Sequence, residues 1–197
     1  MGDYAQQLVL RQQRIAGLRA AIENAFAPGA AISLELGCGH GHWLTAFAEA
    51  EPDRAFLGLD LISNRVARAQ AKKNKRGLEH LHFLKGEASE VLEAWPEDRG
   101  LANVFMLFPD PWPKARHHKH RMVQVAFLDR LAELIAPGGC FCFRTDHGEY
   151  FDWTRALLHE HSGWEIDGAA PWPWETETVF QRFMDSWQSL VAVRTSC

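Results

Sequence analysis

The chain has 197 residues, of which 47% are hydrophobic and 23% charged, an ordinary globular balance and enough material for one full core. No apolar run nears the ~18 residues that a membrane span needs, and the polar, amphipathic stretch from Met1 to Arg19 lacks the apolar centre of a signal peptide, so the expected setting is cytoplasmic, away from membrane. The net charge of -4 argues against a uniformly basic nucleic-acid binder. Yet the Lys and Arg residues concentrate in two windows, Arg65, Arg68, Lys72, Lys73, Lys75, Arg76 and Lys114, Arg116, Lys119, Arg121, and such patches can hold a polyanion locally.

Residues 4–26 place Leu8, Ile15, Leu18, Ile22 and Phe26 near helical spacing, and Pro28-Gly29 stops that helix. Ala31 to Leu36 predict a buried strand ending at Gly37. A helix over 42–50 follows, broken by Pro52, and then a strand over 55–60. Ser63 or Asn64 caps a helix to about Lys75. A strand at 80–85, a short helix at 88–95 and an apolar, central strand at 101–108 come next. A helix over 121–135 is ended by Pro137-Gly138-Gly139, a strand spans 140–145, and a helix spans 148–161. The PWPW stretch from Pro171 predicts a loop, and 189–194 an edge strand.

Alternating strands and helices imply an α/β fold: a mostly parallel, doubly wound sheet covered on both faces, with an antiparallel edge strand. No repeat or linker divides the chain. One domain is expected over 1–197, with a helix within 1–28 and the core over 29–197. Trp43, Phe47, Phe127, Leu128 and Leu131 are expected in that core. Trp153, Trp164, Trp172, Trp174 and Trp187 are expected to cover sheet edges. Cys38, Cys140, Cys142 and Cys197 fit no disulfide or zinc spacing and are expected as small buried hydrophobes, Cys140 and Cys142 on one strand face.

The first strand leads directly into Glu35-Leu-Gly-Cys-Gly-His-Gly41, ahead of a helix. Gly37, Gly39 and Gly41 permit a tight turn and close approach to a ligand. Asp60 closes the second strand, where a carboxylate can accept both hydroxyls of a ribose. A nicotinamide fold asks for glycine at the position of His42. The observed G-x-G-x-G preceded by Glu35 is the form used for S-adenosylmethionine (SAM), which has no pyrophosphate. Glu87, after the third strand, suits either an adenine contact or a solvated loop acid.

After the fourth strand comes Phe108-Pro-Asp-Pro-Trp-Pro-Lys114, then Ala-Arg-His-His-Lys-His-Arg121. Open α/β sheets bind ligands at this end of the strands. Three alternating prolines forbid helix and stiffen the loop that carries Asp110. With LELGCGHG, GLD at the second strand end, the PGG turn and RTDHGEY at 144–150, these segments resemble the tRNA (guanine-N7)-methyltransferase family of the bacterial TrmB type over roughly 31–151.

The resemblance implies a Rossmann-like class I SAM-dependent methyltransferase acting on guanine N7 in the variable loop of tRNA, as a monomer or homodimer without a metal. It places Glu35, Gly37, Gly39, Gly41, Asp60, Glu87 and Asp110 around SAM, with Asp110 catalytic. It places Lys114, Asp146, Thr178 and Gln181 at the substrate, and Arg116, His117, His118, Lys119, His120 and Arg121 on RNA. The family's late Thr-x-Phe-Glu element reads here Thr178-Val-Phe-Gln181, so the acid is an amide. That departure keeps open a relative with another RNA or small-molecule substrate, and a non-catalytic RNA-binding relative. Arg65, Arg68, Lys72 and Arg76 share a helix face that is either solvated or RNA-facing, and Trp112 suits either core or base stacking.

Overall fold

A computed structural model of the chain describes residues 2–178 and 181–195. Among these residues six α-helices and seven strands are arranged as α1 (Gly2–Ala25), β1 (Ala31–Leu36), α2 (His42–Ala50), β2 (Ala55–Asp60), α3 (Ser63–Arg76), β3 (Leu81–Lys85), α4 (Ala88–Ala94), β4 (Gly100–Leu107), α5 (Val125–Leu134), β5 (Ile135–Thr145), α6 (Gly148–Glu160), β6 (Trp164–Ile166) and β7 (Gln188–Arg194). Short 3-10 turns occupy Ala115–His120 and Gln181–Phe183. The sheet runs β3-β2-β1-β4-β5-β7-β6. The first five strands are parallel; β7 is antiparallel to β5 and to β6.

Strand alternation sends side chains to two separate cores. Ile32, Leu34, Leu36, Leu57, Val104, Phe141 and Phe143 pack beneath α1, α4, α5 and α6 with Ile22, Val91, Leu128 and Tyr150. On the opposite face Phe56, Phe83, Phe105 and Cys142 meet Trp43 and Phe47 of α2 and Ala69 of α3. Glu35 alternates with Leu34 and Leu36 and therefore faces this second layer. Among the expected core residues, Trp43, Phe47, Leu128 and Leu131 are buried, and Phe127 is partly so.

Several expectations need correction. The strand at 189–194 is interior; the edge is β6, three residues too short to show alternation in sequence. The helix expected from 121 begins at Val125: Gln124 is still in extended backbone, and its side-chain amide donates back to the carbonyls of His118 (2.9 Å) and Arg121 (3.1 Å), which lie in the preceding turn. The PGG segment does not separate helix from strand. Ile135 already pairs with Leu101, and Pro137 to Gly139 bulge before pairing resumes at Asn103 and Cys140. Gly139 is needed there: a Cβ would lie 2.5 Å from the Ala102 carbonyl.

The tryptophans also divide differently. Trp174 stacks on Phe47 at 5.4 Å and Trp172 meets Phe105 at 6.4 Å, so both cover the face of the sheet rather than its edge. Trp164 is buried in β6, while Trp187 is exposed. Ile22 of α1 and Phe26 just beyond it enter the core but Leu8 stays exposed; the outer turns are tied to α4 by Arg11–Glu93 and Arg14–Glu90 pairs. Cys38 and Cys142 are buried and Cys140 partly so, all three as free thiols, with Cys140 and Cys142 in the same layer. Burial pushes the Cys142 thiol well above its ordinary range. Cys197 lies outside the described residues.

Candidate functional site

The glycine turn leaves β1 and hooks over β2: the Gly37 and Cys38 amides both donate to the Leu59 carbonyl at 2.8 Å. Gly37, Gly39 and Gly41 hold φ of 76°, 56° and 66°, the left-handed region where a side chain is strained. They do two different jobs. At Gly37 and Gly39 nothing lies within 4 Å of a Cβ, so these face open space. At Gly41 a Cβ would meet Phe83 Cζ at 2.6 Å and Ala69 Cβ at 2.8 Å. The close helix–strand packing that nicotinamide folds assign to the next position is met here by Gly41.

The turn is held from both sides. Asp60 Oδ2 accepts the Gly39 amide at 3.0 Å and Oδ1 accepts the Ile62 amide at 2.8 Å, with Arg65 at 3.7 Å. Lys72 Nζ donates to the His40 carbonyl at 2.7 Å. Lys72 was expected only on a solvated or RNA-facing surface; its spacing carried no sign of this tie.

Glu35 is 4% exposed, and its Oε2 is buried without a hydrogen-bond partner. Burial, with the charge of Asp60 second, pushes its carboxyl up to about 8. A buried acceptor left unpaired is costly, so this oxygen marks a place for a donor or a cation. Glu87 precedes α4 and accepts from Ser89 Oγ at 2.8 Å. It borders a cleft of about 570 Å³ that Leu92, Met122, Phe127 and Arg130 also line. Of the apolar members of that wall, Phe127 is expected only in the core, and Leu92 and Met122 are not singled out in the sequence, since their spacing shows only ordinary helix faces.

β4 and β5 end side by side, Leu107 opposite Arg144, and the Phe108 amide donates to the Arg144 carbonyl at 2.7 Å. Asp110 and Asp146 leave these adjacent ends, and both are exposed. Phe108 and Trp112, each before a proline, hold φ of 52° and 45°. Such outliers cost of order 1–3 kcal/mol each and persist only where their surroundings hold them. They lie in the segment singled out from sequence.

The basic stretch splits. Lys114, Arg116, Lys119 and His120 are exposed. Trp112, 38% exposed, is not a core residue; it lies 6.0 Å from the His117 ring and 5.0 Å from that of His120. His118 turns inward, its Nε2 3.1 Å from Glu149 and its ring 5.7 Å from Trp153. Arg121, expected on RNA, is buried with 0% of its side chain exposed, so it cannot serve as a surface contact. Among the described residues no group of three or more His, Cys, Asp or Glu is arranged so that it could hold a metal ion, and no helix is long and apolar enough to cross a membrane.

Thr178 and Gln181 are both buried and bond reciprocally: the Thr178 amide donates to Gln181 Oε1 at 2.8 Å, and the Gln181 amide to Thr178 Oγ1 at 3.2 Å. This is a capping-box pattern, for which Glu and Gln are interchangeable. Across the sheet, Arg144 donates to Glu175 (2.7 Å) and Ser189 (2.7 Å) and lies 4.1 Å over Trp172, fastening the PWPW segment onto the second core.

Comparisons with known proteins agree with this architecture. The family described as "Putative methyltransferase" matches residues 29–184. The tRNA (guanine-N(7)-)-methyltransferase of Nitrosococcus oceani is 39% identical over 66% of this chain and 55% of its own length. That of Rhizobium etli is 35% identical over 74% and 64%. The chain thus spans about 55% to 64% of the length of these relatives. In fold it is similar to the 16S rRNA methyltransferase KamB, with TM-score 0.62, 19% identity and coverage of 90% and 94% of the two chains. An rRNA methylase from Streptococcus thermophilus gives TM-score 0.58, 9% identity and coverage of 86% and 89%. With the glycine turn, the acids at the strand ends and the strand order in place, the chain belongs to this methyltransferase family and has the Rossmann-like class I fold.

Proposed function

We propose that the protein methylates guanine N7 in tRNA with SAM as methyl donor. The observation that carries the reading is the strained proline loop, which presents Asp110 at the end of β4, the strand next to the one that ends in the glycine turn. The residues present fit SAM: open space over Gly37 and Gly39 admits its backbone-hugging portion, and unpartnered Glu35 Oε2 suits its ammonium group. In this reading Asp60 meets the ribose and Glu87 the adenine edge. Bound there, SAM would supply an electrophilic methyl to N7, an in-plane acceptor with no proton to remove.

The protein's task is then alignment rather than base catalysis. A carboxylate can accept from guanine N1–H and N2–H and aim N7, and a second can favour the cationic methylated ring. Asp110 and Asp146 are the two acids for these jobs. Lys114, Arg116, Lys119 and His120 are the residues for phosphate, which supplies affinity rather than base choice. Gln181 gives little reason to prefer another substrate, since its oxygen is engaged with Thr178 as a glutamate oxygen would be.

The test is transfer from labelled SAM into unmodified tRNA, followed by nucleoside analysis, with a tRNA whose variable-loop guanine is replaced by adenine as control. Label in 7-methylguanosine that vanishes in the control is the expected result. No label, with SAM binding demonstrated separately, overturns the tRNA reading. Asp110→Ala is expected to abolish transfer at unchanged melting temperature, since the side chain is exposed; wild-type turnover would remove Asp110 from the chemistry.

A further inference from the structure

The Arg121 guanidinium lies 5.0 Å from the ring centre of Tyr150 and 5.3 Å from that of Trp153. Its Nε donates to the Pro111 carbonyl at 2.9 Å, and a terminal nitrogen to Glu149 Oε1 at 3.2 Å. Pro111 directly follows Asp110. Glu149 and Tyr150 open α6, just beyond Asp146. One side chain therefore spans from the loop that carries Asp110 to the helix that Asp146 leads into. The same joint is closed a second time: the Val123 amide donates to Tyr150 Oη at 3.2 Å, and Trp153 Nε1 to the Val123 carbonyl at 2.9 Å.

The loop needs such a fastening. Pro109, Pro111 and Pro113 lack N–H groups, so the segment has few donors with which to hold itself. Phe108 and Trp112 sit in strained backbone and relax unless restrained. Arg121 restrains the loop from the acceptor side, at the carbonyl next to the acid. Glu149 is 56% exposed, so the ion pair is screened and what it contributes is direction. The two aromatic faces shield the cation and fix its plane.

We infer that Arg121 is a positioning residue: it sets Asp110 relative to Asp146 and does not act through RNA phosphate. The inference rests on the proposed role of those two acids. The variants are Arg121→Met, Arg121→Lys and Glu149→Gln. For Arg121→Met, kcat is expected to fall roughly ten- to a hundredfold, the scale of a misaligned reacting pair. SAM affinity by titration, the KM for tRNA and its salt slope are expected to stay within about twofold. Trypsin should cut faster after Lys114 and Arg116 in the loosened loop. Arg121→Lys keeps the charge and one donor and should recover part of kcat. Glu149→Gln, a surface change that preserves folding, should show the same pattern more weakly and decides the matter if Arg121→Met does not fold.

Wild-type kcat with unchanged tryptic rates overturns the inference. So does a loss confined to tRNA KM with a flattened salt slope, which would make Arg121 an RNA contact, or a loss of SAM binding in step with kcat. If the wild-type protein does not methylate tRNA, the functional reading fails instead; the tryptic rates and SAM titrations then decide whether Arg121 fastens the loop.

Discussion

Titrating SAM into the protein at several pH values, with Glu35→Gln alongside, tests whether the buried carboxyl receives the cofactor's ammonium group. The carboxyl of Glu35 is pushed up to about 8, by burial first and by Asp60 second. At pH 7 such a group is about 90% protonated, whereas an α-amino group of pKa ~8 is about 90% charged. Pairing the two as ions releases about 0.9 proton from Glu35 and takes up about 0.1 at the amine, a net release of about 0.8 at pH 7. At pH 9 the balance reverses to a net uptake of about 0.8, and affinity peaks near pH 8, about threefold above either flank. Calorimetry in phosphate and in Tris reads the proton count from the dependence of the observed heat on buffer ionisation enthalpy. Glu35→Gln should erase the release at pH 7 and leave the amine's uptake at pH 9. No buffer dependence at pH 7 in the wild type, or an identical one in the variant, would refute the reasoning. The free protein carries the matching signature. Its native state keeps a proton that the unfolded chain loses near 4.5, so this group's stabilisation is full below that pH and disappears as pH rises toward about 8.

Gly41→Ala should lower stability by about 2 kcal/mol or more, because its methyl would overlap Phe83 and Ala69 at positive φ, whereas Gly37→Ala should cost about 1 kcal/mol and mainly weaken SAM binding. Equal losses in melting temperature with equal SAM affinities would refute that division. Arg116→Ala with Lys119→Ala should reduce the salt slope of tRNA binding by roughly one to two; an unchanged slope in filter binding would take this stretch off the RNA. Gln181→Glu should leave the melting temperature within a degree or so, while Gln181→Ala loses the box and about 1 kcal/mol; an intolerant Gln181→Glu would mean that the amide nitrogen matters.

Much of the glycine turn and its setting was legible because its requirements are local. A glycine triplet after an apolar run and an acid at the next strand end are backbone facts, and the mostly parallel sheet follows from the alternation of strands and helices; the strand order was not read. What the sequence hid depends on which way a side chain turns. Arg121 and Arg116 stand in one basic run, yet one is buried against Tyr150 and Trp153 and the other exposed, and only the packing of α6 decides between them. Lys72 belongs to an exposed-looking stripe but reaches the His40 carbonyl. β6 escaped because three residues carry no period, and β7 was misplaced because antiparallel pairing on both its sides leaves no local mark.

These side-chain turns also reconcile an acidic chain with the polyanionic substrate proposed for it. In the two basic windows, Lys72 is spent on the glycine turn, Arg76 on Glu49, Lys73 is buried, and Arg121 is spent on the proline loop. Lys114, Arg116 and Lys119 stay exposed in the segment that follows Asp110, and Arg65 and Arg68 stay exposed on α3. A large field would raise affinity for any nucleic acid; a small cluster at the site adds charge only where the backbone flanking the target base would pass. On the proposed reading, selectivity has to come from shape and from the acids assigned to the guanine edge, which places a premium on how firmly Asp110 and Asp146 are held. The fold meets that demand with buried arginines: Arg121 fastens the loop from the α6 side, and Arg144, at the end of β5, anchors the PWPW segment against the opposite core.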